Sequence, residues 1–405
     1  MSRRYVRPLS PLERYSLVLN RLYRYHVDGI LEGRGDVDIK RLQQAVDKAA
    51  QSNPAIRVRL RGLLRWCYWV DSGKAPRVHL LPVSPWTGDS ELNTEFLQQR
   101  LDPMKGQAVA DVLVVPCTDG KTRIVFRSVH AAIDGRGLMH WVADVCRALR
   151  DETPVGSSSR LTDLDIQLAN QQNIPPEEPA APAQCVPVIE PDEVRHGELR
   201  YIWRRIVLPS NVSQLLPRAA EFFAAYARAR VPGGEVGFTI PVDYRGLRTQ
   251  EMGIGNMTGY LRLQVPEGAS PRKLMQQILT KVKAFTDCKT FPGITTLRWL
   301  PVWFMLRQLK PKVDALLHTV SPALPTGGLV SMGSVVMSDY NFPGFQAERF
   351  YGIPGAVGKL NMIFINTPTE TIVSLSTPAT YNGNGQLDTL VQAFTEHFSS
   401  QGLAS

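Results

Sequence analysis

The chain has 405 residues, of which 43% are hydrophobic and 20% are charged, and its formal net charge is +9. This composition is close to that of ordinary globular proteins, and the length suffices for one large or two medium-sized domains with sizeable cores. The net charge favours anionic partners, such as the phosphates of a cofactor, an acidic carrier protein, nucleic acid or a membrane surface.

Cysteine usage and the apolar segments argue against a secreted or membrane-spanning protein. The five cysteines are dispersed, form no C-x-x-C pair and fit reduced thiols in a reducing compartment. The N-terminal sequence MSRRYVRPLSPLERY lacks the apolar core of a secretion signal. The longest apolar region, Leu297 to Leu309, is interrupted by charged residues and is too short to span a bilayer. We therefore expect a soluble, cytoplasmic protein.

Helix and strand patterns alternate in the first 150 residues. Apolar residues recur at helical spacing from Asp38 to Gln51, and Pro54 ends this predicted helix. Ala110 to Val115 and Thr122 to Val129 predict a hairpin around the turn CTDGK. The other elements predicted in this half are strands at Ile56–Leu60, Leu63–Val70 and Arg77–Leu81 and a helix at Leu138–Arg150.

A change of composition separates the two halves. Six prolines fall between Pro175 and Pro191, so this stretch is interpreted as a linker or crossover. The predicted organisation is an N-terminal subdomain at 1–173, a linker at 174–196 and a C-terminal subdomain at 197–405. The mixture of elements in both halves predicts two related α/β (α+β) subdomains. The second half is expected to contain strands at Leu199–Leu208, Val236–Val242, Tyr260–Val265, Val330–Met337, Lys359–Asn366 and Thr371–Thr377 and helices at Ser213–Arg230, Ser270–Lys283 and Leu387–Phe398.

The sequence RSVHAAIDGRGLMHW places His130 four residues before Asp134, between a predicted strand and a predicted helix. A neutral imidazole can take a proton near pH 7 if its orientation is fixed. Gly135 and Gly137 would allow a tight turn and let a substrate approach the backbone. A metal site is not supported, because no nearby histidine or cysteine supplies a third ligand. From the motif alone, a buried structural histidine is as good an interpretation as a catalytic one.

The segment VHAAIDGRG resembles the H-x-x-x-D-G signature of the chloramphenicol-acetyltransferase-like superfamily, in its condensation-domain and wax-ester-synthase-like branch. Five further stretches resemble segments of condensation-like proteins, in the same order and across nearly the whole chain. They are LSPLERY, SNPAIRVRL, PVDYR, GIGNMTGYL and NFPG. Three features depart from the relatives. Val129 stands where condensation domains usually have a first histidine, the D-F-G-W-G box of the plant enzymes is absent, and Tyr340 precedes Asn341 where relatives often have serine.

The resemblance implies two chloramphenicol-acetyltransferase-like subdomains in a V shape, with an active-site tunnel between them. It implies that His130 is the general base and that Asp134 points away from the substrate and pairs with Arg245. A carboxylate–guanidinium bond of this kind would fix the loop that aims the imidazole, and Gly135 belongs to the same supporting group. For Arg245 the alternative is an ordinary surface arginine. The resemblance also implies substrate contacts, with packing as the alternative for the tyrosine, at Asn256, Tyr340 and Asn341.

The implied activity is acyl transfer by a stand-alone condensation-type enzyme of secondary metabolism, with no metal and no permanently bound cofactor. The donor would be acyl-CoA or an acyl group on the phosphopantetheine of an acyl or peptidyl carrier protein, supplied in trans. The acceptor would be a small-molecule amine or alcohol. We expect a monomer.

Other classes of function compete with this interpretation. A condensation-like protein can be catalytically inactive and serve for binding or docking, and Val129 leaves that alternative open. Nucleic-acid binding has only the net charge in its favour. The basic group from Arg57 to Arg65 is interpreted as a solvated face. The apolar cluster from Trp299 to Leu306 is interpreted as a core-facing helix rather than as a contact for a membrane or an acyl chain.

Overall fold

The computed structural model describes most of the chain, and its elements alternate along both halves. The described residues are 5–62, 66–174, 185–190, 201–209, 212–290, 294–297, 300–318, 325–355, 359–382 and 385–401. The α-helices among them are α1 (Pro11–Leu22), α2 (Ile39–Ser52), α3 (Gly135–Leu149), α4 (Asp163–Asn170), α5 (Leu215–Arg228), α6 (Pro271–Lys283), α7 (Ile294–Leu297), α8 (Val302–His318) and α9 (Gln386–Gln401). The strands are β1 (Val6–Pro8), β2 (His26–Gly35), β3 (Val58–Arg61), β4 (Tyr68–Asp71), β5 (Val78–Leu80), β6 (Ala110–Pro116), β7 (Thr122–Val129), β8 (Tyr201–Pro209), β9 (Gly237–Asp243), β10 (Thr258–Gln264), β11 (Gly327–Ser334), β12 (Phe345–Ile353), β13 (Asn361–Asn366) and β14 (Glu370–Pro378).

Two large sheets organise the described residues. The first sheet has the strand order β12-β2-β7-β6-β5, and the second has the order β10-β9-β11-β13-β14-β8. A small antiparallel sheet, β1-β4-β3, accompanies the first. Helices α2 and α3 pack against each other, and so do α5 and α6. Each large sheet thus forms a layer with its own helices, which gives a mixed α+β architecture in two parts.

Strand β12 belongs by sequence to the second half but lies in the first sheet. It pairs antiparallel with β2, with Tyr351 opposite Ile30. The chain therefore crosses back to the first sheet after β11 and then returns to the second sheet with β13. The bounds 1–173, 174–196 and 197–405 stay a prediction, and most of the proline-rich stretch lies outside the described residues.

Each sheet is covered by a separate apolar core. The first core is built on α2, α3 and the inner face of the first sheet, and it takes in Ile254 and Met332 from the second half. The second core is built on α5, α9 and the second sheet. Since the first core includes side chains from both halves, the two parts of the molecule are packed against each other rather than merely tethered.

Local sequence accounts for most of the elements, and many predictions are confirmed. Asp38 caps α2 by accepting hydrogen bonds from the backbone of Lys40 and Arg41. The predicted helix from Ser270 is α6, which Ser270 caps and which has Pro271 at its first position. The hairpin of β6 and β7 has the predicted bounds to within one residue. In these places the cap or turn residues and the periodicity agree.

Three predictions need correction. The predicted strand from Ile56 begins only at Val58, because Pro54 opens a short 3-10 turn that includes Ile56. Helix α4 was not predicted; it lies within the predicted N-terminal subdomain, and Thr162 is its N-cap. Helix α3 begins at Gly135, three residues before its predicted start, because Asp134 is its N-cap. In each case a single capping residue or proline sets the residue at which the helix or strand begins.

A buried carboxylate joins the two sheets at a point that we call the Glu32 junction. Glu32 of β2 is fully buried. Its Oε2 accepts hydrogen bonds from Nε of Arg123 at 2.9 Å and from NH1 of Arg205, which lies on β8 of the second sheet, at 3.2 Å. Its Oε1 accepts from Nζ of Lys121 at 3.0 Å and lies 3.7 Å from NH1 of Arg349. One carboxylate therefore forms ion pairs with cationic side chains of both sheets.

Candidate active site

His130 directly follows β7, in the loop of residues 130–134 that leads into α3, here called the His130 loop. Its backbone N–H donates to the carbonyl of Tyr25 at 3.1 Å, which anchors the loop to the start of β2. The imidazole is stacked on the Tyr25 ring, with the ring centroids 4.9 Å apart and the planes 9° from parallel. The residue is half-buried, and its ring is held on one face by the stacked tyrosine.

The surroundings of His130 favour the neutral imidazole. Burial lowers its pKa below the usual 6.5, because the charged form loses solvation. Its own backbone carbonyl, the charge of Asp134 and the side chain of Asn256 act in the opposite direction without reversing the shift. Nδ1 is buried and has no hydrogen-bond partner of acceptable geometry among the described residues. A neutral imidazole with a depressed pKa is able to accept a proton at pH 7.

Asp134 is turned away from His130 and is saturated with hydrogen bonds. It is 3% exposed. Its Oδ1 accepts from the backbone N–H of Gly137 at 2.8 Å, and its Oδ2 accepts from the backbone of Met257 at 2.9 Å and the hydroxyl of Thr258 at 3.0 Å. The remaining contacts go to the Arg245 guanidinium, whose NH1 donates to Oδ2 at 3.1 Å and whose NH2 donates to Oδ1 at 3.0 Å and to Oδ2 at 3.1 Å. Asp134 thus fastens the His130 loop to the second half.

Arg245 lies just beyond β9 and is buried by its partners. Its Nε donates to the carbonyl of Gly253 at 2.6 Å, and its NH2 donates to that of Gly255 at 2.8 Å. Its NH1 also donates to Asp243 at 2.8 Å. The predicted pairing with Asp134 is present, and Arg245 is not a surface residue. The role of this pair in catalysis stays a prediction. We call the contacts of Asp134 and Arg245 the Asp134 junction.

The glycines after Asp134 have a different purpose from the one expected. Gly135 and Gly137 lie in the first turn of α3, and neither has a positive φ angle. A Cβ at Gly137 would lie 2.1 Å from the carbonyl oxygen of Ile254, and one at Gly135 would lie 2.7 Å from the Met332 methyl group. The expectation of a tight turn was therefore wrong: the glycines let α3 approach the second half closely.

The three residues predicted to contact substrate are engaged in protein contacts. Asn256 is 3% exposed, and its Nδ2 donates to the His130 carbonyl at 2.6 Å, so it holds the backbone of the His130 loop. Tyr340 is buried and stacks on Phe350 at 5.3 Å. Asn341 accepts from the backbone N–H of Ala347 at 2.8 Å and thereby closes the turn before β12. A substrate contact by any of the three stays a prediction.

A cavity of about 850 Å³ lies along α3, on the side of the Asp134 junction. The face of α3 contributes Arg136, His140 and Arg147, and the facing wall includes Tyr340 and Arg245. Arg147 and His140 both lie near the buried Asp144, at 3.0 and 3.5 Å. His130 is not among the described lining residues. The volume is within the range of small-molecule sites.

Sequence reasoning missed Tyr25, because nothing in the sequence links it to a histidine that follows 105 positions later. The strand that directly follows it, β2, was also not predicted. Its sequence HVDGILEGRG contains charged residues and glycines that mask the usual alternation. Glu32 and Asp28 are tolerated there because arginines on neighbouring elements pair with them. Only the assembled sheet shows that these charges are buried.

The structure locates both the apolar cluster predicted to be a core-facing helix and the basic group predicted to be a solvated face. The predicted apolar helix corresponds to α8, where Val302 and Met305 are buried in the first core. Trp303 and Phe304, however, keep 54% and 37% of their surface exposed, so α8 faces the core with only part of its apolar residues. Trp299 lies outside the described residues. Arg59, in the predicted solvated face, lies on β3 at the edge of the small sheet.

The described residues contain neither a candidate metal-ion site nor a candidate membrane-spanning helix. Within those ranges, no three histidine, cysteine or acidic side chains are grouped so that they could hold a metal ion. In the same part of the chain, no helix has the length and apolar character needed to cross a membrane. The five cysteines are buried, and none of them is part of a disulfide.

Comparison with solved structures identifies the fold, although no protein-family model and no curated protein matches the chain. A doubly substituted starter condensation domain of rhizomide synthetase RzmA, in complex with C8-CoA, aligns at a TM-score of 0.65 and 13% identity, over 98% of this chain and 95% of that chain. The first condensation domain of the CDA synthetase aligns at 0.63 and 14%, over 98% and 96%. Polyketide synthase associated protein 5 from Mycobacterium tuberculosis aligns at 0.58 and 15%, over 92% of each chain. The α+β class and the two V-shaped subdomains are therefore confirmed, and the chain has the fold of the condensation domains.

Proposed function

We propose that this protein is an acyltransferase that moves an acyl group from a thioester to an amine or hydroxyl acceptor, with His130 as the general base. The observation that carries the proposal is an imidazole with a lowered pKa on a loop that the Asp134 junction fixes between the two halves. A general base must be unprotonated and must be held in a fixed orientation. The fold adds support, since a domain with the same architecture is known in complex with C8-CoA.

In the proposed reaction, His130 takes the proton from the acceptor as its nitrogen or oxygen attacks the thioester carbonyl. The carbon–sulfur bond breaks as the tetrahedral intermediate collapses, and His130 returns the proton to the leaving thiolate. The products are an amide or ester and a free thiol, so atoms and charges balance without a metal. The donor is acyl-CoA or the acyl group of a carrier protein. We propose a monomer in the cytoplasm.

The inactive alternative is less well supported by the contacts around Val129. Val129 is fully buried in the first core, opposite His26 in the sheet. A side chain at this position faces the core, so the valine that replaces the usual first histidine leaves His130 and its loop undisturbed. Asn256 holds the backbone carbonyl of His130 and Arg245 holds the side chain of Asp134, so the contacts that orient the loop are intact beside Val129.

The test is thiol release and product mass with a panel of acyl-CoAs and acyl carrier proteins, each with amine and alcohol acceptors. The variants are wild type, His130→Ala and, as a matched control, His79→Ala, whose histidine is exposed on β5. We expect acceptor-dependent release that His130→Ala lowers by about 10²–10⁴-fold and His79→Ala leaves unchanged. Turnover that survives in His130→Ala would overturn the base assignment, and no turnover with any donor would favour the docking alternative.

A further inference from the structure

The orientation of the His130 ring is not set by a hydrogen-bonded carboxylate. Both oxygens of Asp134, the acid of the motif, are occupied by Arg245, Gly137, Met257 and Thr258. Nδ1 of His130 has no hydrogen-bond partner of acceptable geometry among the described residues. An imidazole that acts as a base still needs a fixed plane, because a misplacement of about 1 Å costs on the order of 10²-fold in rate.

Tyr25 supplies a rigid contact to one face of that ring. The two rings are nearly parallel, with centroids 4.9 Å apart and an angle of 9°. The hydroxyl of Tyr25 stays protonated, because burial raises its pKa well above 10. The stacking partner is thus an uncharged ring, which restricts rotation of the imidazole without adding charge to the site.

The backbone and ring of Tyr25 are themselves held in place. Its N–H donates to Oδ1 of Asn20 at 3.2 Å, and the Asn20 amide in turn donates to the carbonyl of Leu101 at 2.8 Å. Tyr23 meets the Tyr25 ring edge-on at 5.9 Å. The ring centroid of Tyr23 also lies 6.3 Å from that of Tyr201, which belongs to β8 of the second sheet. A series of aromatic rings therefore leads from His130 to the second half.

We propose that Tyr25 is a positioning residue for the reaction, whose ring fixes the plane of the His130 imidazole by stacking. This inference rests on the proposed function, since it assigns the residue that orients the proposed base. The stacked area is supplied by the ring and not by the hydroxyl, so phenylalanine at position 25 is sufficient and an aliphatic side chain is not. The loss of stacking affects proton transfer and not the binding of the donor.

The experiment compares Tyr25→Phe, Tyr25→Leu and Tyr25→Met with wild type. The matched control is Tyr381→Leu, which removes a buried tyrosine ring from the second core without touching His130. We expect Tyr25→Phe to keep kcat within about 3-fold, and the two aliphatic variants to lose about 10–100-fold in kcat at an unchanged donor KM. Equal kcat in all variants, or an equal loss in Tyr25→Phe and Tyr25→Leu, would overturn the proposal. If Tyr25→Leu does not fold, Tyr25→Met carries the comparison.

A second readout does not depend on turnover. In protein with ¹⁵N-labelled histidine, the ring signals of His130 are those that disappear in His130→Ala. Shielding by the Tyr25 ring should move these proton signals upfield in wild type and Tyr25→Phe, and the aliphatic variants should lose the shift. If the shifts behave in this way but wild type transfers no acyl group, the proposed function fails and the stacking stands. If the shifts are the same in all variants, the positioning role fails whatever the activity.

Discussion

Two buried carboxylates connect the halves of this molecule, and they do so by different means. Asp134 binds one arginine from the second half and fills its remaining capacity with two backbone N–H groups and a hydroxyl. The partners of Glu32 are all cationic side chains, and each of these side chains is also paired with a second carboxylate. These further pairs are Arg123 with Asp119, Arg205 with Asp89, Arg349 with Glu370 and Lys121 with Glu348.

The two junctions differ in how strictly their hydrogen bonds fix a geometry and in how many partners can replace one that is lost. Backbone N–H groups are fixed in space, so the Asp134 junction specifies the geometry of the His130 loop. Charges at the Glu32 junction act over longer distances, and the loss of one partner leaves several others. We therefore expect the Asp134 junction to be sensitive to any change, and the Glu32 junction to tolerate the loss of single contacts.

The largest effect is expected for Asp134→Ala. The substitution leaves the buried Arg245 without its main counter-charge and removes the N-cap of α3, which should cost about 3–5 kcal/mol of the free energy of unfolding. Acyl transfer should fall at least as far as in His130→Ala, because the loop loses its anchor. Urea unfolding and thiol release measure both effects. An active, stable Asp134→Ala protein would show that the junction does not fix the loop.

Glu32→Gln should cost less, about 1–3 kcal/mol, and should leave acyl transfer nearly unchanged. Burial by itself would raise the pKa of Glu32, but Arg205, Arg123 and Lys121 outweigh it and hold the pKa below 4.5. Since the folded-state pKa is lowered, the stabilisation is present above about pH 4.5 and is lost as the pH falls through the folded value. The stability difference between wild type and Glu32→Gln should therefore shrink in acid. A constant difference from pH 7 to pH 3 would contradict this account.

Two neighbouring glycines allow a matched test of the close approach at the Asp134 junction. Gly137→Ala directs a methyl group at the Ile254 carbonyl, and the backbone there cannot move without opening the contact, so we expect a cost of about 1–3 kcal/mol and reduced kcat. Gly135→Ala meets only the flexible end of Met332 and should cost less than about 1 kcal/mol. Thermal unfolding and kcat are measured for both variants under the same conditions. Equal effects of the two substitutions would refute the requirement for glycine at position 137.

The smallest effect is expected at the rim of the Glu32 junction. Arg349 is partly exposed, lies 3.7 Å from Glu32 and is also paired with Glu370. Arg349→Met should change the free energy of unfolding by less than about 1 kcal/mol, because exposed and redundant pairs contribute little. A larger loss in urea unfolding would mean that the charges at this junction act as a unit rather than redundantly.

The sequence predicted the parts of the site that local chemistry encodes. The His130–Asp134 spacing, the helices predicted from Asp38 and from Ser270 and the β6–β7 hairpin all follow from side-chain types at short separations, and the structure contains them. Arg245 was assigned to Asp134 only through resemblance, since 111 positions separate the two.

The remaining features depend on contacts between distant segments. Strand β2 was not predicted, because its buried charges are compensated by arginines from other strands. Strand β12 joins the first sheet from the second half, and no local pattern specifies that partner. The same holds for the stacking of Tyr25 on His130 and for the glycines of α3, whose neighbours come from elsewhere in the chain.

The sequence by itself determined the α+β class and the His130–Asp134 motif, because periodicity, capping and spacing act within a few residues, and the resemblance named His130 as the candidate base. The tertiary structure decided what surrounds that base: which carboxylate is saturated, which ring it stacks on and where the two halves touch. The physical reason is that burial and long-range pairing set the pKa, the orientation and the accessibility of His130, and these exist only once the sheets are assembled.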